Sequence, residues 1–189
     1  MDEFAEKLIH GRVHVSPKRL GSPGPNDSQK NQILLAANAA PDHGRMMPWR
    51  FIEIGQSSRN ALGEVFYQCL LDRDPSATTI QLQEAREKSL RGPLLLLAIA
   101  NYADDANEIS KEEKLVSLGC AIQNILLSAY ALGFGSGLSS GKALQSPRLR
   151  SLFNLADHED PICFITIGTV TQNKSGRVRP DLSSYHSIF

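Results

Sequence analysis

The chain has 189 residues, 41% hydrophobic and 21% charged, enough apolar material for one domain around a real core. Lys plus Arg equals Asp plus Glu, so bulk charge makes no case for nucleic acid or a membrane surface as partner. Three widely spaced cysteines, Cys69, Cys120 and Cys163, argue against a disulfide framework or a zinc site and suit buried free thiols in a reducing compartment.

The opening MDEFAEKLIHGR is acidic and lacks the apolar core of a secretory signal. Phe4, Leu8 and Ile9 lie near helical spacing and predict a short first helix that stops at Gly11. Residues 13–26 hold three prolines and two glycines and read as loop. Asp27 or Ser28 caps a second helix running to about Ala39, where Pro41 ends it. WRFIEI, from Trp49 to Ile54, alternates as a strand with Trp49 and Phe51 on one face.

Ser57 or Ser58 caps a third helix to about Leu71. A polar helix near Thr78–Ser89, with few apolar positions, is expected to be exposed. Pro93–Tyr102 is a continuous apolar run, read as a central strand; its core, Leu94–Ala100, is too short to span a bilayer. From Glu112 to Leu132, apolar residues recur at helical spacing, and Gly133 can terminate that helix. FGSGLSSG then reads as a glycine- and serine-rich loop. A short helix follows to Phe153, then a strand over Pro161–Thr169 and a basic tail. No repeat or linker interrupts residues 1–189, which are expected to form a single α+β domain in the cytoplasm.

Three motifs compete for chemistry. Gly133, Gly135 and Gly137 resemble a dinucleotide loop, but position 138 is leucine and a helix, not a strand, precedes them. Gly137-Leu138-Ser139-Ser140-Gly141 matches the nucleophile elbow G-x-S-x-G; Ser139 would then need His158 or His186 as base and Asp157, Asp160 or Asp181 as orienter. The third is cationic. Arg12, Lys18 and Arg19 in the N-terminal loop and Arg177 and Arg179 in the tail form an anion clamp if the two segments meet. No HExxH or CxxC is present, and Gly11 interrupts any helix that would join His10 to His14.

Four stretches taken together resemble the FMN-dependent nitroreductase family, in its small single-domain subgroup. They are LIHGRVHVSPKRL, APDHGRMMPWRF, SLGCAIQNILLSAYALGFGSGLSSG and FITIGTVTQNKSGRVRP, in the family's order and spanning nearly the whole chain. The resemblance implies a mixed β-sheet flanked by helices and an intertwined homodimer with FMN at the interface. It implies ping-pong electron transfer from NADH or NADPH to nitroaromatic, quinone or similar small acceptors.

Residue by residue, the resemblance puts Arg12 on the FMN phosphate or ribityl, with Val13 and His14 standing where Arg and Ser are usual. It puts Ala39 and His43 on the partner's flavin, and Leu138, Ser139 and Ser140 along the flavin's border. Arg177 or Arg179 meets the phosphate. Pyridine nucleotide is assigned to Ser128, Ala129, Tyr130, Ala131, Leu132 and Gly133. Met47 replaces the usual Gln, and Trp49 and Phe51 are read as core and interface anchors. Two alternatives stay open: a flavin-binding member without useful turnover, and a serine hydrolase using Ser139.

Overall fold

The computed structural model describes residues 2–103, 109–173 and 178–189. Helix α1 spans Asp2–Gly11 and strand β1 spans Leu20–Gly21; helix α2 spans Asp27–Leu35 and continues as a 3-10 turn, Ala36–Ala39. Strand β2 is Trp49–Glu53, helix α3 is Gln56–Arg73 and helix α4 is Thr79–Glu87. Strand β3 is Leu94–Asn101 and helix α5 is Lys111–Ala131. Strand β4 is Gly135–Ser139, helix α6 is Pro147–Leu152 and strand β5 is Glu159–Val170.

Strand β5 organises the sheet. It pairs with β1, β3 and β4, and β3 pairs in turn with β2, all antiparallel. Among the described residues, the parallel contribution is one bridge, His14 to Ser136. Side chains of β3 alternate between two cores. Leu94, Leu96, Ala98 and Ala100 pack with α2 and α5, and Leu95, Leu97 and Ile99 pack with Leu62 of α3 and Leu149 of α6. A strand covered on both faces needs apolar residues throughout, hence the unbroken run LLLLAIA. Leu96, Leu97 and Ile99 are completely buried, each contributing about 2 kcal/mol.

Three helices start with reciprocal capping boxes: Asn26 with Gln29, Thr78 with Gln81 and Ser110 with Glu113. Each cap is worth about 1 kcal/mol. Asn26 therefore takes the role expected of Asp27 or Ser28, because its side chain accepts from the backbone of Gln29. The N-cap of α3 is Gly55, with no side-chain bond, rather than Ser57 or Ser58. Helix α4 is less free than its polar sequence suggests: Leu82 and Ala85 are buried.

FGSGLSSG is not loop throughout, since Gly135–Ser139 pairs with Phe164–Gly168. The glycines serve close approach. A Cβ on Gly135 would lie 2.5 Å from Val170, and one on Gly137 would lie 2.0 Å from the carbonyl oxygen of Val15. The N-terminal segment can thus lie directly on β4. Gly133, at φ +84, ends α5 as expected. Trp49 and Phe51 are half-buried against the α2/α5 core, on the shared face that their alternation predicts.

Candidate functional site

The N-terminal segment is fixed to β4 by the Val15 amide, which donates to the Ser136 carbonyl at 2.9 Å. This places Arg12, half-buried, beside the C-terminal end of α5. Arg12, Val13, Ser136, Tyr130 and Gly133 line a cavity of about 210 Å³ there. Two polar atoms at this place are buried without a hydrogen-bond partner among the described residues: Arg12 Nε and Ser136 Oγ. Buried orphans are costly, and a water, an ion or a ligand group at this place would satisfy them. Val13 and His14 are exposed.

The tail does meet the N-terminal segment. Arg179 Nη2 donates to the carbonyls of His10 (2.7 Å) and Arg12 (3.4 Å), and Nη1 donates to His10 Nδ1 at 3.0 Å. Part of the Arg179 fork is thus spent on tying the segment down. Arg177 lies outside the described residues.

Leu138, Ser139 and Ser140 straddle the sheet. Leu138 pairs with Ile165 and so faces the α5 side, where it is 37% exposed. Ser139 pairs with Phe164 and so faces the α3 side. Beyond it, Ser139, Ser140 and Lys142 line a second cavity, about 270 Å³, with Phe66, Leu70 and Phe164 as apolar wall. The same cavity is lined by Arg73, Lys88 and Arg91, cations that the sequence reading passed over. The signal for Lys88 and Arg91 was the run REKSLRGP leading into β3. Burial lowers the pKa of the Arg91 guanidinium, against the opposing fields of Glu84 and Glu87.

Arg59 holds this wall in place. It is 1% exposed, and its guanidinium donates to five carbonyls: Ile54 (3.0 Å), Ser89 (2.8 Å), Arg91, Gly92 and Pro93 (3.2 Å each). Four of these belong to the turn that carries Lys88 and Arg91. Burial alone lowers the pKa of Arg59.

His43 stands elsewhere. Its Nδ1 bonds Glu113 Oε1 at 2.9 Å, and Glu113 Oε2 accepts from Ser110 in the capping box of α5. The His43 bond first, and Ser110 second, hold the Glu113 carboxyl below its usual range. The His43 loop is strained at two non-glycine residues with positive φ, Arg45 and Met47, while Gly44 takes positive φ freely. Ala39 is exposed on the turn after α2. Glu113 and Ala131 are eighteen residues apart on one helix, which separates the His43 group from the Arg12 group by about 27 Å.

Within Ser128–Gly133, Ala129 is fully buried, Tyr130 is 37% exposed, and Ala131 and Gly133 are exposed. The carbonyls of Ser128, Ala129 and Tyr130 already accept backbone hydrogen bonds from residues 132–134. The hydrolase constellation does not assemble around His158. Ser139 is opposite Phe164, and six residues of extended chain put His158 about 20 Å away. No histidine is among the described residues lining the cavity at Ser139. Among the described residues, no three His, Cys, Asp or Glu side chains gather to hold a metal ion.

Comparison with known proteins gives these groups a context. The family model described as Nitroreductase family matches residues 16–169. A relative from Escherichia coli K12, named "Putative NAD(P)H nitroreductase YdjA", is 30% identical over 97% of this chain and 98% of its own. A Haemophilus influenzae relative, named "Putative NAD(P)H nitroreductase", is 30% identical over 82% of this chain and 83% of its own. Among solved structures, a nitroreductase-like family protein from Bacillus cereus superposes with a TM-score of 0.81 at 18% identity, covering 97% of this chain and 94% of that one. The FMN-dependent nitroreductase NfnB from Mycobacterium smegmatis, solved with NADPH, gives 0.76 at 16% identity over 100% and 99%. The sheet with its two helical layers is thus a nitroreductase fold, and the chain belongs to the Nitroreductase family.

Proposed function

We propose that the chain is a single-domain FMN-dependent NAD(P)H oxidoreductase of the cytoplasm that reduces nitroaromatics, quinones or similar electron-poor acceptors. The observation that carries this is Arg12 Nε, without a partner among the described residues, at the cavity it shares with Ser136 of the strand that leads into Leu138–Ser140. A buried guanidinium nitrogen without an acceptor fits an anionic group such as the FMN phosphate. When bound, FMN supplies the two-electron chemistry, accepting electrons from NAD(P)H and passing them to the acceptor. The chain's part is to hold and orient. Arg12 and Arg179 would meet the phosphate, His14 the ribityl, and the end of β4 the ring. Tyr130, Ala131 and Gly133 offer the exposed surface for a pyridine nucleotide.

His43 and Ala39 enter only through a second copy, because about 27 Å separates His43 from Arg12 within one chain. Exposed apolar residues on α1 and α5 support a homodimer: Phe4 68%, Ile9 52% and Val116 67%. Their cover by a partner is the simplest account of such a surface. Sedimentation equilibrium should give twice the chain mass; a monomer holding FMN at full occupancy would break the shared-site reading.

The decisive experiment is the absorbance spectrum of the purified protein, followed by NAD(P)H oxidation with and without a nitroaromatic or quinone. A colourless protein that takes up no added FMN would end the proposal. A yellow protein without acceptor-driven NAD(P)H oxidation would favour the second reading, a flavin binder without useful turnover. The departures at Val13 and His14 motivate that reading.

A further inference from the structure

The cavity at Ser139 has a chemistry that the flavin phosphate does not account for. Arg12 and Ser136 stand on the α5 side of β4, whereas the cavity opens on the α3 side. Four cations line it: Arg73 from α3, Lys88 and Arg91 from the turn before β3, and Lys142 after β4. No Asp or Glu is among the described residues of its lining. Cations nearby that lie outside its lining do have carboxylate partners, Arg86 with Glu64 and Arg148 with Asp72. The four that line it, Arg91 half-buried and the others exposed, join no ion pair and donate no side-chain hydrogen bond within the described chain. Like charges gathered around a cavity repel one another unless an anion joins them.

The floor is apolar and aromatic. Phe66 and Phe164 meet edge to face, with centroids 5.6 Å apart, and Leu70, Leu95 and Leu144 complete it. At about 270 Å³ the space lies just below the usual range for small-ligand pockets, roughly 300–1,000 Å³, and suits a single ring. The cation wall is also held firmly. Arg59 binds the carbonyls of Ser89, Arg91, Gly92 and Pro93, so Lys88 and Arg91 sit on a fixed turn.

We propose that this cavity selects an acceptor that is an aromatic anion, an arene carboxylate, with its ring against Phe66 and Phe164 and its carboxylate among Lys88, Arg91, Arg73 and Lys142. The inference rests on the oxidoreductase reading above and narrows its acceptor class. Guanidinium and ammonium groups favour a carboxylate over a neutral amide of the same shape through charge-assisted hydrogen bonds.

The test compares 4-nitrobenzoate with 4-nitrobenzamide, which differ in charge and little in shape. Equilibrium dialysis against the FMN-loaded protein should give a dissociation constant for the benzoate about tenfold or more below that for the benzamide. In a Lys88→Met, Arg91→Met variant the preference should vanish, while the benzamide constant and the FMN content stay as in the wild type. The Michaelis constants for NAD(P)H-driven reduction should follow the same pattern. Should that variant fold poorly, Arg73→Gln with Lys142→Gln at the rim should still reduce the preference about threefold. Equal binding of the two probes by the FMN-loaded wild type would overturn the inference alone. So would loss of FMN from a folded variant, since the cations would then serve the cofactor. A wild type that takes up no FMN would sink the oxidoreductase reading and this inference together.

Discussion

On the α3 side of the sheet, the buried Arg59 finds five carbonyl acceptors and leaves none of its three nitrogens idle. On the α5 side, Arg12 Nε, Ser136 Oγ and Asp42 Oδ1 are buried with no partner among the described residues, and Val116 lies 67% exposed on the core helix itself. The two sides belong to one sheet and share β3 and β5, yet the buried arginine of one is satisfied within the chain and that of the other is not. Polar groups left unsatisfied beside exposed apolar ones are what an interface or ligand site looks like before it is filled. The α3 side carries the stability of the single chain; the α5 side is where cofactor and second copy are to be sought.

The largest test of that contrast is Arg59→Met. Removing the guanidinium strands five carbonyls under α3 and frees the Ser89–Pro93 turn. The loss should be about 3 kcal/mol or more, which is roughly 6–12 °C in Tm for a chain of this size. A thermal melt within 1 °C of the wild type would mean that the α3 side does not depend on its polar cage.

A second test shows that the α5 side is closed at its centre, though open at its ends. Cys163 is 7% exposed in the α2/α5 core, and burial pushes its thiol up from 9.0 to about 11. A raised pKa in the folded state contributes stability that is full below the unfolded value and is lost as pH climbs through the folded one. The window is therefore pH 9 to about 11, and the loss across it is about 2–3 kcal/mol. The difference in stability between wild type and Cys163→Ala should shrink by that amount over the window. A constant difference would show that solvent reaches β5.

The complete side was the more legible in sequence. LLLLAIA announced a strand buried on both faces, and the spacing of Leu118, Ala121, Ile125 and Ala129 announced the helix beside it. Arg59 was invisible, because a single arginine in a polar helix looks like solvent-facing charge until five carbonyls from elsewhere in the chain converge on it. Strand β4 was hidden for a related reason. Its glycines are there because Val15, Leu20 and Val170 come too close for any side chain, and such contacts have no local signature. Arg12 and Leu138–Ser140 stood out through family resemblance, yet the split that puts Leu138 on the face of Ser136 and Ser139 on the other followed only from the register with β5. The meeting of Arg179 with the N-terminal segment, 169 residues from His10, likewise needed coordinates.

The third test probes the incomplete side directly. Arg12→Ala should leave the Tm of the cofactor-free chain within about 1 °C, since the side chain satisfies nothing there. It should raise the FMN dissociation constant about 10- to 100-fold, the range for one charge-assisted hydrogen bond of roughly 1.5–3 kcal/mol. Fluorescence titration of FMN measures this. Unchanged affinity would remove Arg12 from the site and leave its orphaned nitrogen unexplained.

The smallest effect belongs to the far end of α5, where His43 leans on Glu113. That carboxyl is held below its ordinary value of 4.5, by His43 first and Ser110 second. A depressed pKa contributes stability that is present above the unfolded value and is lost as pH falls through the folded one. Both partners are well exposed, so the contribution is small and salt-sensitive. Glu113→Gln keeps the shape and the Ser110 contacts but removes the charge. Its Tm should lie slightly below that of the wild type at pH 6, and the two should converge as pH drops below 4.5. If His43 turns to a partner's flavin in the holo-dimer, it must leave Glu113, and FMN loading should shrink the gap at pH 6. A gap that FMN leaves untouched would keep His43 as a capping accessory of α5 and take it out of the site.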